Sequence, residues 1–417
     1  MTDLSGLRVV VVGLNYAPEP TGSAPYTAGL AEMLAAAGAS VEAFAGVPHY
    51  PAWRIEPEYR WHVRVRAARD GVDVRHFRHF VPHRQSALSR LLWDGTFVIN
   101  AGLARPRRRP HVVIASTPSL GGAVVGARLA RRASAGFGVI VQDLVGAAAR
   151  QTGIKGGSRV AGAVAAAEGR VLREADVVSI VSPAFRQQLA AYNVDPARVR
   201  VFRNWTHIDQ ASRPAREARR LFGWRDDEFI VLHTGNMGLK QDLGNVVDAA
   251  RLLPAASGIR FVLCGDGSQR ASLAELARGV GNVEFLPPVA GDRYPDLLSA
   301  ADLLLVNERA SVSDMALPSK LTSYFSAGRP VLAAVSPTGA CALEMAATLG
   351  AGEVVPSGDP AALASRVAAL RHEPAALLEM GRLGRLYFEQ ELGQIAAASR
   401  AVALATELAR VPRRTAG

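Results

Sequence analysis

The feature that most constrains this chain is residues 7–13, LRVVVVG, a continuous β-branched run closed by glycine. A half-exposed strand alternates apolar with polar side chains, whereas an unbroken run fits a parallel strand buried on both faces. A loop over 14–21 follows, then a helix over 22–38 carrying Leu30, Met33 and Leu34, then a second strand over 41–45. Parallel neighbours need a crossover, and strand, loop, helix, strand is the βαβ unit that supplies it.

The alternation continues along the chain. Strands are expected at 72–80, 111–116, 139–141, 176–181 and 199–202, with helices at 87–103, 122–132, 159–173 and from Pro183 to Tyr192. Between 204 and 219 the periodicity lapses while charge and proline rise. It restarts with strands at 229–233, 260–264, 283–285, 303–306, 331–335 and 353–355. The helices of this half are expected at 242–253, 270–278, 294–300, 320–327 and from 360 to the end. A chain of 417 residues exceeds one ordinary core and suits two α/β domains. The expected fold class is therefore α/β, with two Rossmann-like, doubly wound parallel-sheet domains facing a cleft. The first covers 1–203, a linker covers 204–219, the second covers 220–385, and a terminal helical segment covers 386–417. In such folds ligands sit beyond the carboxyl ends of the strands, so the loops after each strand are where chemistry belongs.

Bulk properties exclude some classes and leave others open. Two cysteines, Cys264 and Cys341, cannot build a disulfide framework or a four-cysteine zinc site, which fits a reducing compartment. The N-terminus lacks the basic and apolar regions of a secretory signal, and no run of about 18 apolar residues occurs. A cytoplasmic protein is the expectation, with contact at the inner membrane face left open. The formal charge of +11 favours anionic partners, namely nucleic acid, a membrane face or phosphorylated small molecules. Residues 88–109 are apolar with basic ends and suit an anionic membrane surface, yet Asp94 and Asn100 interrupt them. Because a crossover helix is needed there, the stretch is read as a core helix with Arg107–Arg109 as a surface contact.

Several post-strand loops carry candidate chemistry. The loop 13–26, GLNYAPEPTGSAPY, places Gly22, Ser23 and Ala24 at a helix start, where free N–H groups favour a phosphate or carboxylate. Its spacing is not the G-x-G-x-x-G of dinucleotide binding. The loop 233–243, HTGNMGLKQDL, sets Gly235, Asn236, Gly238 and Lys240 between strand and helix. Glycines allow close backbone approach, successive N–H groups form an anion nest, and the lysine supplies counter-charge. A diphosphate leaving group needs such stabilisation as charge accumulates on it. CGDGSQR, 264–270, repeats the strand, glycine turn, helix order with Gly265, Asp266 and Gly267, and puts Arg270 on the first helical turn. Pro318, Ser319 and Lys320 read as a helix start. In the first half Gln142 and Asp143 end a strand, and His49 lies in PHYP, so both loops offer acid–base or hydroxyl-positioning groups.

These loops, in this order, resemble family 4 glycosyltransferases of the GT-B fold, especially bacterial exopolysaccharide and O-antigen enzymes of the colanic-acid and N-acetylfucosamine transferase types. The resemblance runs through NYAPEPTG, PHYP, VQD, EADVVSIVSP, RNW, TGNMG, CGDG and PSKL…SAGRPV, nearly the whole chain. It implies sugar transfer with retention from a nucleotide-diphospho-sugar, with no metal and no cofactor beyond that donor. It implies a donor held mainly by the C-terminal half and an acceptor held mainly by the N-terminal half. A last helix is implied to cross back to the first domain. Gly22, Gly235, Asn236, Gly238, Lys240, Gly265, Asp266, Arg270, Lys320 and Ser323 then become donor contacts. Asn15, Tyr16, Glu19, His49 and Tyr50 become acceptor contacts, and Asp143, Lys240 and Lys320 the catalytic set. The acceptor is a glycan, a lipid-linked molecule or a small molecule, with no nucleic-acid partner. Two departures stand out. Where relatives carry a Glu-x7-Glu pair this chain has Met315 and Ser323, and Gln142 stands where a histidine is common. Asp314 or Glu344 are substitutes for the ribose contact. A nucleotide-sugar epimerase of the same plan and a non-catalytic nucleotide-binding subunit are the alternative readings.

Overall fold

The computed structural model describes residues 3–20, 22–82, 86–144, 158–206, 208, 210–289, 291–312 and 318–412. Asp314 and Met315 lie outside the described residues. The chain forms two compact units, residues 1–203 with 397–417, and residues 204–396.

The first unit is built on a sheet of strands β1 (Arg8–Gly13), β2 (Ser40–Gly46), β3 (Arg64–Arg69), β4 (Val72–Phe77), β5 (Val112–Ser116), β6 (Gly136–Val141), β7 (Val177–Ile180) and β8 (Val199–Val201). Their spatial order is β3-β4-β2-β1-β5-β6-β7-β8. The β-branched run lies near the middle, between β2 and β5, parallel to both, with Val9 to Val12 buried. That is why it carries no polar alternation. Strand β3 was not expected. It runs antiparallel to β4, and Asp70 (φ 46°) and Gly71 (φ 79°) make the turn between them. An Asp-Gly turn with both φ values positive is a hairpin signal. The strand itself is almost wholly exposed and pairs Arg66 with Asp73, so it has charge where a buried strand has apolar residues. Such charge protects a sheet edge from further pairing.

The helix Ala87–Gly102 packs one face on the core, as expected there, and leaves the other exposed. Trp93, Phe97 and Ala101, four residues apart, are buried, and Asp94 and Asn100 also turn inward. The Asp94 carboxylate accepts hydrogen bonds from Ser119 Oγ (2.6 Å) and Gly121 N (2.9 Å), and Asn100 Nδ2 donates to the Arg78 carbonyl. The interrupting polar residues are thus ties to the start of the helix Leu120–Ala133 and to the residue after β4, while Leu91, Leu92 and Ile99 face solvent.

The helix Gln394–Ala409 packs on β6 of the first unit. A Cβ on Gly136 would fall 2.1 Å from the Leu408 carbonyl oxygen, and one on Gly138 would fall 2.8 Å from Leu408 Cδ1. Two glycines therefore leave the room this helix occupies. The segment read as 386–417 begins earlier than the structural return at 397. Tyr387 and Leu392 belong to the core of the second unit, and Thr206 N donates to Leu392 O at 3.0 Å.

The second unit holds β9 (Phe229–Thr234), β10 (Ile259–Cys264), β11 (Val283–Leu286), β12 (Leu303–Asn307), β13 (Val331–Val335) and β14 (Gly352–Pro356). The order is β11-β10-β9-β12-β13-β14 and the paired strands are parallel. The stretch read as a linker, 204–219, belongs to this unit. Buried Asp296 accepts from the backbone N–H of Ser212 (2.9 Å) and Arg213 (3.1 Å) and pairs with the Arg213 guanidinium. A helix at Ala215–Leu221 follows, and Arg219 pairs with Asp302. The polar residues that broke the periodicity are the fastenings. A further helix not expected from sequence, Ala340–Ala347, is largely buried and Ala-rich.

Candidate functional site

In the second unit the loops after β9, β10 and β12 interlock at the carboxyl edge of the sheet. Gly235 N donates to Cys264 O (2.9 Å), Met237 N to Asp266 O (2.8 Å), and Gln269 N to Met237 O (2.9 Å). The approach is so close that a Cβ on Gly265 (φ +148°) would sit 1.9 Å from the Gly235 carbonyl oxygen. Only glycine admits that contact. Arg309 N donates to Lys240 O, and Asn307 Nδ2 donates to the carbonyls of Gln241 and Asp242. The Gln241 side chain folds across the turn to accept from Gly238 N at 3.1 Å. Gly235, Asn236 and Lys240 are left exposed on this framework, and Asp266 is exposed beside it.

Lys320, at the start of the helix Lys320–Ser326, reaches into these loops. Its Nζ donates to His233 Nε2 at 3.1 Å, and a Cβ on Gly235 would lie 3.7 Å from the same nitrogen. His233 is fully buried at the end of β9 and its Nδ1 donates to Leu305 O at 3.2 Å. Burial, then the Lys320 charge, push this imidazole well below its ordinary value of 6.5. Lys320 itself is lowered to about 7 by burial, with Glu308 pulling the other way. Glu308 is raised to about 7 by burial, against the opposing charges of Lys320 and Lys240. Tyr324 closes the floor, its hydroxyl accepting from Thr234 N at 2.9 Å. A partly buried cation beside one weakly ionised carboxyl is short of negative charge. An anion arriving there is favoured strongly.

Of the residues singled out by sequence, Gly235, Lys240 and Lys320 gather here, with Asn236 and Gly238 on the same turn. Arg270 is half-buried, and its Nε has no hydrogen-bond partner among the described residues. Ser323 is buried on the helix Lys320–Ser326. Glu344 is buried and accepts a hydrogen bond from the Tyr387 hydroxyl. His233, Asn307 and Glu308 were missed. His233 and Asn307 end strands, a position that sequence does reveal, but Glu308 takes its meaning from burial beside two lysines.

In the first unit the loop after β1 is organised by Glu19. Its carboxylate accepts from His49 N (2.9 Å), Tyr50 N (2.9 Å) and Asn15 Nδ2 (2.8 Å). Burial alone would raise this carboxyl, but its contacts with His49 and Asn15 hold it below its ordinary value. The indole N–H of Trp93 donates to His49 Nε2 at 3.0 Å. The ring therefore donates from Nδ1, toward Glu19 (3.0 Å) and the Val47 carbonyl (2.9 Å). Both nitrogens of His49 are engaged and its side chain is buried, so it offers no free acid–base group; it braces the loop. Tyr16 is buried as well. Tyr50 and Gly22 (φ +72°) lie together, a Gly22 Cβ falling 3.4 Å from Tyr50 Cε1. After β6, Thr117 Oγ1 accepts from Gln142 N (3.0 Å) and donates to the Asp143 carbonyl (3.1 Å), fixing the Asp143 backbone. Among the described residues no three His, Cys, Asp or Glu side chains are grouped as a metal site requires.

Two doubly wound parallel sheets with ligand-receptive loops at a carboxyl edge define the GT-B class, and the solved structures agree. The chain is similar to sucrose-phosphate synthase from Thermosynechococcus elongatus (TM-score 0.71, 18% identity, 96% of this chain and 99% of that one). It is also similar to HepE of Anabaena in complex with UDP (TM-score 0.69, 16% identity, 96% and 100% covered). Residues 21–205 match the glycosyl transferase 4-like domain and residues 228–373 match glycosyl transferases group 1. A protein of Escherichia coli (strain K12), WcaI, named for glycosyl transfer in colanic acid biosynthesis, is 32% identical over 335 residues, covering 77% of this chain and 82% of the relative. This chain belongs to the family 4 glycosyltransferases of the GT-B fold.

Proposed function

We propose that the protein moves a sugar, with retention at the anomeric carbon, from a nucleotide-diphospho-sugar to an acceptor hydroxyl during polysaccharide assembly. The observation that carries this reading is the Lys320 ammonium, partly buried against His233 and beside Glu308 at a glycine-lined turn. Lys320 and Lys240 take the charge of the departing diphosphate, and the N–H groups of the Gly235–Gly238 turn assist. Arg270, with the Gly265–Asp266 turn and Ser323, lies on the nucleotide side. The diphosphate itself helps to deprotonate the incoming hydroxyl, so no protein nucleophile is required and no metal takes part. Asp143 positions acceptor or sugar hydroxyls, Gly22 admits the donor phosphate, and Asn15 and Tyr50 meet the acceptor. Tyr16, Glu19 and His49 hold that loop in shape. HepE has been solved with UDP and with UDP-glucose, which supports testing uridine diphosphate sugars first. WcaI supports an exopolysaccharide acceptor, glycan or lipid-linked.

The test is incubation with a panel of nucleotide sugars, with and without acceptor glycans, followed by nuclear magnetic resonance of the product anomer. Transfer with the donor's anomeric configuration kept supports the reading. Conversion of donor without acceptor means an epimerase, and an inverted product removes retention.

A further inference from the structure

The first unit contains a cavity of about 710 Å³ that none of the donor or acceptor roles above uses. Arg54, Arg60 and Arg78 line it, together with Trp53, Phe80 and Asn100. Arg54 and Arg60 are exposed, and the Arg78 guanidinium donates to the Arg60 carbonyl, which holds the three cations around one space. None of the three guanidiniums pairs with a carboxylate among the described residues, although Glu56 and Glu58 share the loop. Elsewhere in this unit exposed arginines do find partners, as Arg66 finds Asp73 and Arg69 finds Glu32.

The cavity is rimmed by apolar surface. Trp61 is 85% exposed, Val63 60% and Phe80 42%. Arg78 N donates to Val63 O, and Phe80 N donates to Thr96 Oγ1, so the segment between them ties the rim to the helix Ala87–Gly102. On that helix Leu91, Leu92 and Ile99 are exposed, and Leu103 just beyond it is 65% exposed. Soluble proteins seldom leave so many large apolar side chains together on one face. No helix among the described residues is long and apolar enough to cross a membrane.

We infer that this face docks on an anionic lipid bilayer, a headgroup phosphate entering the Arg54–Arg60–Arg78 cavity while Trp61, Val63, Phe80 and the Leu91–Leu103 ridge enter the interface. Guanidiniums recognise phosphate oxygens in a forked geometry, and each cation near an anionic surface adds to binding. Apolar side chains around the cations separate this face from a nucleic-acid or free-phosphate site, neither of which has a use for exposed leucine and tryptophan. The cavity concerns where the enzyme works and stands apart from the donor chemistry of the second unit.

The test is co-flotation of the full chain with vesicles of phosphatidylcholine alone and of phosphatidylcholine mixed with phosphatidylglycerol. The wild type is expected to float with the anionic vesicles only. Arg54→Ala/Arg60→Ala should weaken that binding on the order of ten-fold or more, and Trp61→Ala should weaken it as well. Arg220→Ala/Arg278→Ala, which removes the same charge from exposed sites of the second unit, should bind as wild type. Unchanged melting and unchanged nucleotide binding show that the variants are folded. Failure of the wild type to float overturns the inference. So does equal weakening by both double variants, which would mean general charge attraction, or wild-type binding by Arg54→Ala/Arg60→Ala.

Discussion

Lys320 Nζ lies 3.1 Å from Nε2 of His233, an imidazole with no exposed surface. An ammonium can only donate, so the ring must accept at Nε2 and give its own proton to the Leu305 carbonyl. The strand thereby aims the cation, and the cation fixes the tautomer of the strand's histidine.

Lys320→Ala should lower turnover on the order of 10²- to 10³-fold, the scale seen when one preorganised charge donor is removed. Lys240→Ala should also fall well below a control such as Arg220→Ala. Steady-state kinetics decides it, and wild-type turnover in either lysine variant would take that residue out of the site.

Binding of a nucleoside diphosphate should take up protons at pH 8. Lys320, at about 7 in the free protein, is mostly neutral there and becomes charged when an anion arrives. The same anion raises Glu308, also at about 7, so both groups shift in the same direction. At pH 6 both already hold their protons and the uptake should nearly vanish. Calorimetry in buffers of different ionisation enthalpy measures this, and proton release at pH 8 would contradict it.

The free protein should gain stability relative to Lys320→Met as pH rises from 7 toward 10. The folded-state value of Lys320, about 7, lies below its ordinary 10.5, so the unfolded chain binds more protons in that window. Deprotonation therefore relieves the folded state. Urea titrations of both proteins at several pH values give the difference, and a wild type that loses ground over this range would reverse the assignment.

Gly265→Ala should cost about 3 kcal/mol or more, because its methyl group would fall 1.9 Å from the Gly235 carbonyl at a φ of +148°. Nucleotide binding should fail along with stability, since the two loops can no longer interlock. Denaturant unfolding and a binding titration report the two effects separately.

Trp93→Phe keeps a ring against His49 but removes the donor to a buried acceptor, and should cost about 1–3 kcal/mol. The loop of Glu19, His49 and Tyr50 loosens, so the acceptor KM should rise while nucleotide affinity holds. A loss confined to nucleotide binding would show that this loop serves the other substrate.

Much of the fold is legible because burial on both faces writes an unbroken apolar run, as in β1, β9 and β12. Strand β3 is not written that way, since an exposed edge needs charge, and its only mark is Asp70-Gly71. The helix Ala340–Ala347 hides for another reason: its exposed positions, Leu343, Ala346 and Ala347, are as apolar as its buried ones, so no polar face sets a period. At the site, Gly235 and Lys240 are legible as a glycine turn and a cation in the loop after a strand, and Lys320 as a cation at a helix start. The roles of His233 and Glu308 depend on Lys320, which is 87 residues from His233 in the chain, and no local pattern records that. His49 shows the same limit, because Trp93, 44 residues on, occupies the nitrogen that a general base would need.

The helix Gln394–Ala409 has a consequence in time. It completes the first unit against Gly136 and Gly138, yet from Ala397 onward it follows the whole second unit in the chain. Topologically the second unit is an insertion within the first. Domains generally fold in the order in which they leave the ribosome, but here the unit begun first must wait for residues 397–417, by which point all of the second has been synthesised. Until then β6 presents two bare glycines where Leu408 belongs. A nascent chain stalled before residue 397 should carry a finished nucleotide-side unit and an unfinished partner.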